Sequence, residues 1–173
     1  LSSVAYEAVE DMSPDIPKES KTFSPWYYSP HAFIARKKEN GVDVGYHYDR
    51  RKDHIARYNA LIVDIDNGPD QEELEERFEK FDLKPHYFIR TRPFDNYFQL
   101  VFKLDPIPLG TGNRPQTLTK IDYMLAELAG MFGGDPLAAK ANQMGRLPFT
   151  YRNDLDNGCV VQVIDHSDHP RYD

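Results

Sequence analysis

One cysteine and one tryptophan stand in 173 residues, and the scarcity of cysteine excludes several functions at once. Cys159 alone cannot make an intrachain disulfide, a Cys-rich zinc site or a CxxC redox pair. It opens the apolar run CVVQV, where a small buried residue is a better reading than a catalytic thiol. No stretch approaches the roughly 18 uninterrupted apolar residues of a membrane span. No basic start followed by an apolar segment marks a secretory leader. A soluble, cytoplasmic protein with no membrane partner is the expectation. Leu1 in place of a methionine suggests a processed product or a domain cut from something longer. A basic excess is missing too: 21 Lys and Arg face 28 Asp and Glu, a net charge of -7 that taken whole argues against a nucleic-acid partner. What is present is core material, 40% hydrophobic residues with ten Phe and eleven Tyr. A chain this long buries about 70% of its unfolded surface as one domain, without metal or disulfide staples.

The charge is unevenly spread. Residues 1–20 carry five acids and one base, residues 64–82 nine acids and two bases, and residues 153–173 five acids and one base. Residues 36–57 carry seven bases and four acids, and residues 90–152 eight bases and five acids. Two basic surfaces can therefore coexist with acidic flanks, and an anionic ligand is not excluded. Ordinary solvated faces account for the same charges.

Residues 1–25, with Pro14, Pro17 and Pro25 among polar residues, read as an arm or a loosely packed lead-in. From Trp26 the chain turns aromatic and extended, with ENG (residues 39–41) as a turn between two β-type stretches. ALIVDID, residues 60–66, is an apolar run ending in carboxylates and predicts a buried strand. DQEELEERFEKF predicts an amphipathic helix with Leu74, Phe78 and Phe81 on one face and Asp70 as its cap. HYFIRT and NYFQLVFKL predict a hairpin around RPFD. A second helix carries Leu118, Ile121, Leu125, Leu128 and Phe132 as its buried stripe and stops at Gly133 and Gly134. CVVQVID reads as a closing strand. This order predicts an α+β fold, an RRM-like (split βαβ) core with an antiparallel hairpin and helices on one sheet face, plus an N-terminal β-rich unit packed on it. The domain spans residues 26–165, with 166–173 as a tail.

Four places could carry chemistry. Asp64 and Asp66, at i and i+2 of a strand end, leave the same face about 6.5–7 Å apart at the backbone, and could share a hard cation such as magnesium or manganese. Strand-end aspartates also cap turns and meet solvent. Phe98, Leu100, Phe102 and Leu104 take one side of the hairpin strand, and Tyr97, Gln99, Val101 and Lys103 the other, so Gln99 is the odd residue of a central strand. Its amide needs partners, which a nucleotide or neighbouring backbone could supply. Asp135 is a third carboxylate for a metal, or an N-cap for a short helix beginning at Pro136. In KANQMGRLPFTYRN, Lys140, Arg146 and Arg152 alternate with amides in a loop suited to phosphates, though an idle surface loop would look the same.

Their order resembles the catalytic domain of the archaeo-eukaryotic primase superfamily, particularly the primase-polymerase domains of plasmid, phage and mobile-element replication proteins. LIVDID resembles the family's hhDhD/E strand. T-R-P-F-D-N-Y-F-Q resembles the T-S-P-x-N-Y-Q pattern of the plasmid branch, which puts Gln99 where many members carry histidine. DPLAAKANQMGRLPFTYRN is similar to a D…R-x-P-G…N element, with Phe149 where glycine is usual. The resemblance covers roughly residues 26–165. It implies primer synthesis on a single-stranded DNA template from nucleoside triphosphates, with Asp64, Asp66 and Asp135 holding two magnesium or manganese ions. It places Gln99 facing the incoming triphosphate, and Arg146 and Lys140 neutralising phosphate. Arg50, Arg51 and Lys52 are candidates for the template backbone, and Tyr46 and Tyr48 for base stacking. A helicase or an accessory DNA-binding domain is the further partner implied in the full-length protein. A non-catalytic origin-binding or single-strand-binding module is the alternative, and a two-metal nuclease a third.

Overall fold

The computed structural model describes residues 27–28, 31–33, 35–37, 46–48, 52–92, 95–110, 112–146, 148–149, 151–152 and 159–173. Its centre is a pair of long antiparallel strands, β5 (Ile55–Asp66) and β7 (Tyr97–Pro108). Alternation gives each strand two distinct faces. Leu61, Val63 and Ile65 of β5, with Phe98, Leu100, Phe102 and Leu104 of β7, enter one large core. Ala60, Ile62 and Val101 enter a smaller one on the opposite face. A register shift between Tyr58 and Ala60 breaks the alternation, which is why Tyr58 joins the large core, and the strand begins five residues earlier than ALIVDID indicates.

The large core is roofed by two helices. The first, α1 (Gln71–Phe81), starts where the Asp70 carboxylate accepts the Glu73 N–H at 2.9 Å, and it buries Leu74 and Phe78. Such a cap contributes about 1 kcal/mol. The second, α2 (Arg114–Phe132), has Pro115 in its first turn and buries the expected stripe of Leu118, Ile121, Leu125, Leu128 and Phe132. It ends at Gly133 with φ of 83°. Phe78 meets both Phe88 and Phe132 edge-on at ring separations of 5.3 and 5.4 Å, tying the helices to the sheet.

The remaining strands are β1 (Tyr27–Tyr28), β2 (Ala32–Phe33), β3 (Ala35–Lys37), β4 (Tyr46–Tyr48), β6 (Tyr87–Arg90), β8 (Gly145–Arg146), β9 (Tyr151–Arg152), β10 (Cys159–Val160) and β11 (Gln162–His166). The main sheet is antiparallel throughout, in the order β11-β6-β7-β5-β2. Its first β-α-β unit is split as the sequence predicts, with β7 lying between β5 and β6. The second half departs from the split plan, which would seat the closing strand beside β5. Here β11 joins the opposite edge, on β6, and the N-terminal β2 takes the edge of β5. The CVVQVID stretch is also two strands: β10 pairs with β9, and after Val161 the chain passes to β6 as β11.

Residues 166–173 pack against the sheet. Tyr172 bridges Leu104, and its hydroxyl donates to the Lys84 carbonyl at 2.7 Å. The His169 ring lies 3.9 Å from that of the buried His86. Among the described residues no helix is long and apolar enough to cross a membrane. The expected lead-in at 1–25, Arg50 and Arg51 lie outside the described residues, as do the side chains of Tyr46 and Tyr48.

Candidate functional site

The site lies on the sheet face away from the helices. Asp64 and Gln99 are direct cross-strand partners of β5 and β7, and Asp66 stands opposite Tyr97. Directly opposed side chains of an antiparallel pair start about 4.5–5.5 Å apart at Cβ, within reach of one hydrogen bond. Gln99, 2% exposed, uses that reach: its Nε2 donates to Asp64 Oδ1. The same Nε2 lies 3.4 Å from the Met144 carbonyl, and Oε1 accepts the Arg146 backbone N–H at 2.7 Å. Gln143 donates to the other oxygen, Asp64 Oδ2. The carboxylate is thus gripped by two amides, one fixed in a strand and one in the loop that follows α2.

Gln143 is a residue of this candidate site that reading the sequence missed. The only signal was its position among the polar amides of KANQMGR, because it comes from a loop 79 positions away from Asp64. Arg92 is a second. Its guanidinium stacks 3.7 Å over the ring of Tyr97, the residue opposite Asp66, and so brings a cation to that end of the site.

Burial is the largest influence on Asp64 and pushes its carboxyl above the usual range, and the charge of Asp66 pushes the same way. The bonds from Gln99 and Gln143 and the charge of Arg146 oppose it. Asp66 itself is exposed.

Close backbone approach brings Asp135 to the same end of β5. A Cβ on Gly134 would lie 2.5 Å from the Asp64 carbonyl oxygen, and one on Gly133 would lie 2.6 Å from Pro69 Cδ. Only glycines let the end of α2 pack this tightly on the strand end. The Asp135 carboxylate, however, accepts the Leu137 N–H at 2.8 Å, capping the Pro136–Ala138 turn. That is the capping role, on a turn where the sequence indicates a short helix. Lys140 is exposed in the same loop. Lys52, expected at the template, pairs with Asp122 of α2, and Asp122 also accepts the Ala141 N–H at 2.9 Å. Burial, and then the charge of Lys140, pull the Lys52 ammonium below its ordinary value, so the two lysines are neighbours.

The Asp64–Asp66 pair fits a magnesium or manganese ion. It offers oxygen donors on one strand face, with a mutual repulsion that a cation relieves. Asp64 and Asp66 would hold such an ion, and of the two amides on Asp64 only Gln143 comes from outside the paired strands β5 and β7. Among the described residues no group of three acids, histidines or cysteines is close enough to hold an ion, so Asp135 does not complete the set in this arrangement.

No protein-family model matches the chain, and no curated protein matches it. Among solved structures it is similar to the archaeo-eukaryotic primase (AEP) domain of the primase-polymerase of cyanophage S-2L, at a TM-score of 0.54 and 18% identity. The match covers 75% of this chain and 63% of that one. At that identity the likeness is one of fold, and the chain shares an α+β, AEP-like architecture with the phage domain.

Proposed function

We propose that this chain is the catalytic core of a primase-polymerase, synthesising short primers on single-stranded DNA from nucleoside triphosphates by nucleotidyl transfer. The observation that carries the reading is the half-buried Asp64 carboxylate, held by two amides on the sheet face away from the helices, in a fold shared with a primase-polymerase domain. The antiparallel sheet with both helices on one face is read as an RRM-like core whose closing strand has changed edges. A magnesium or manganese ion would be held by Asp64 and Asp66. When bound it supplies the charge that lowers the pKa of an attacking hydroxyl and steadies the leaving phosphate.

The chain's own residues do the rest. Gln99 fixes the Asp64 side chain in one orientation, because its two ends are tied to Asp64 and to the Arg146 backbone. Its amide is consumed within the protein, so Gln99 positions the carboxylate more than it touches a triphosphate. Gln143 holds Asp64 until the site is loaded. Arg146, Lys140 and Arg92 oppose phosphate charge. Such a domain belongs to a replication protein of a plasmid or other mobile element, with a helicase or accessory DNA-binding domain as partner.

The test is incubation with single-stranded DNA, labelled nucleotides and Mg²⁺ or Mn²⁺, followed by a sizing gel. We expect extended products that vanish in Asp64→Ala and Asp66→Ala, with the circular-dichroism spectrum unchanged. Synthesis near the wild-type level in either variant would remove the carboxylate pair from the chemistry. A non-catalytic single-strand-binding module remains the second reading, favoured by the engagement of Asp135 in its own turn. A Mn²⁺ titration followed by electron paramagnetic resonance separates the two, because a binding module has no need of the ion.

A further inference from the structure

Phe149 combines a disfavoured backbone with an exposed ring. Its φ is 62°, in the left-handed region where a Cβ crowds the backbone and glycine is favoured. The ring gains little from the core in return, since it is 44% exposed while the preceding Pro148 is buried. Strain of this kind persists only where the surroundings impose it, and it gathers at functional sites.

The surroundings here are the acid site. Three residues upstream, the Arg146 N–H is fixed on Gln99 Oε1, and the Phe149 N–H is fixed on the Val161 carbonyl at 2.8 Å. Val161 packs with Ile62 and Val101, which stand two positions from Asp64 and Gln99 on the same sheet face. Arg146 and Phe149 are therefore both tied through their backbone to the face that carries the carboxylates, and the Phe149 ring is left exposed. Val160, next in sequence to the Val161 that anchors the Phe149 N–H, is 45% exposed as well.

We propose that Phe149 is a stacking platform for an unpaired nucleobase at the edge of the Asp64 site. The inference rests on the primase-polymerase reading for nucleic acid at this face. A flat ring on a fixed backbone has only two side-chain torsions to order, and stacking accepts any base because every base has a π-face. The base can come from the template strand or from the incoming nucleotide, and the chemistry is the same.

The experiment uses the whole chain and fluorescence anisotropy with two labelled probes of equal length, oligo(dT) and a fully abasic strand. Nucleotide affinity is measured separately by calorimetry. Phe149→Ala and Phe149→Gly should weaken oligo(dT) binding about tenfold while changing the abasic strand little, and Phe149→Tyr should keep the wild-type affinity. Phe149→Gly relieves the backbone as it removes the ring, so it should melt no lower than wild type while binding worse, which a packing role cannot produce. A loss confined to nucleotide affinity assigns the platform to the incoming base. Unchanged affinity for both strand and nucleotide in Phe149→Ala, or equal loss on the normal and abasic strands, overturns the proposal and leaves the polymerase reading standing. A wild-type chain that binds neither strand nor nucleotide overturns the reading itself, and the platform with it.

Discussion

Gln99→Ala isolates the arrangement that defines the site. The substitution removes a hydrogen bond to an ionised carboxylate, Asp64, in a position that is 2% exposed, and leaves the Arg146 N–H without its acceptor. A bond to a charged group contributes about 1.5–3 kcal/mol, and an orphaned buried donor costs about 1–3 kcal/mol. The loss should be roughly 3–5 kcal/mol, a large share of the roughly 5–15 kcal/mol by which domains are stable. Gln99→Glu then separates contact from volume. It keeps the shape and the acceptor for Arg146 but sets a carboxylate against Asp64, and two such groups cannot both ionise, so one holds a proton. The folded pKa of that acid lies above its unfolded value of about 4.3, so the folded protein binds the extra proton and gains stability as pH falls from neutrality through the raised pKa. Relative to wild type, Gln99→Glu should be clearly less stable at pH 7 and recover much of the deficit at pH 5. Urea unfolding followed by far-ultraviolet circular dichroism, on the three proteins at both pH values, measures it. A Gln99→Ala cost below about 1 kcal/mol, or a Gln99→Glu deficit that ignores pH, would refute the clamp.

Two further outcomes follow from other parts of the structure. Burial holds the His31 imidazole down to about 3, and burial with the charges of His169 and Lys103 holds His86 down to about 4. Both are neutral when folded and take up a proton when unfolded near pH 6.5, so stability should drop by roughly 2–4 kcal/mol between pH 6.5 and 5. Asp64, raised by burial, works in the opposite sense, because the folded state takes up its proton more readily than the unfolded one. Thermal melts across that range check it: a flat profile, or the same slope in His31→Gln/His86→Gln, would count against it. Gly134→Ala should cost more than about 2 kcal/mol, because its Cβ meets the Asp64 carbonyl 2.5 Å away, and should lower synthesis beyond what its melting temperature explains. Full activity in that variant would show that the end of α2 does not set the position of the acid strand.

How far the sequence could be read depended on whether the information was local. The helices were legible because each carries its stripe and its boundary within twenty residues, Asp70 before α1 and Gly133 after α2. The faces of β7 were legible from period two, which separated Phe98, Leu100, Phe102 and Leu104 from Gln99 and Val101. Period two reports a face and never an edge, so nothing in CVVQVID indicates that β11 would join β6 rather than β5. Asp64 and Gln99 could each be singled out as odd residues in apolar strands. That they are cross-strand partners needs the hairpin register, and that Gln143 completes the grip needs the path of a loop across the sheet.

That path also says where the protein has freedom to work. Among the described residues the helix-side core joins 21 buried residues, and the core on the site face joins five, Ala60, Ile62, Ile89, Val101 and Val161. Burial on the first scale keeps β5 and β7 in register whatever happens on the other face, since each large side chain there contributes about 1.5–3 kcal/mol. On the site face the 143–149 stretch is held instead by the two-residue pairing of β8 with β1 and by hydrogen bonds from Gln143 to Asp64, from Arg146 to Gln99, and from Phe149 to Val161. Each contributes roughly 0.5–1.5 kcal/mol net, somewhat more at the carboxylate. A ligand that offers Asp64 a better partner than an amide can therefore release Gln143 without disturbing the sheet. The cost falls on the loop that carries Arg146 and Phe149, the residues that would next meet phosphate and base.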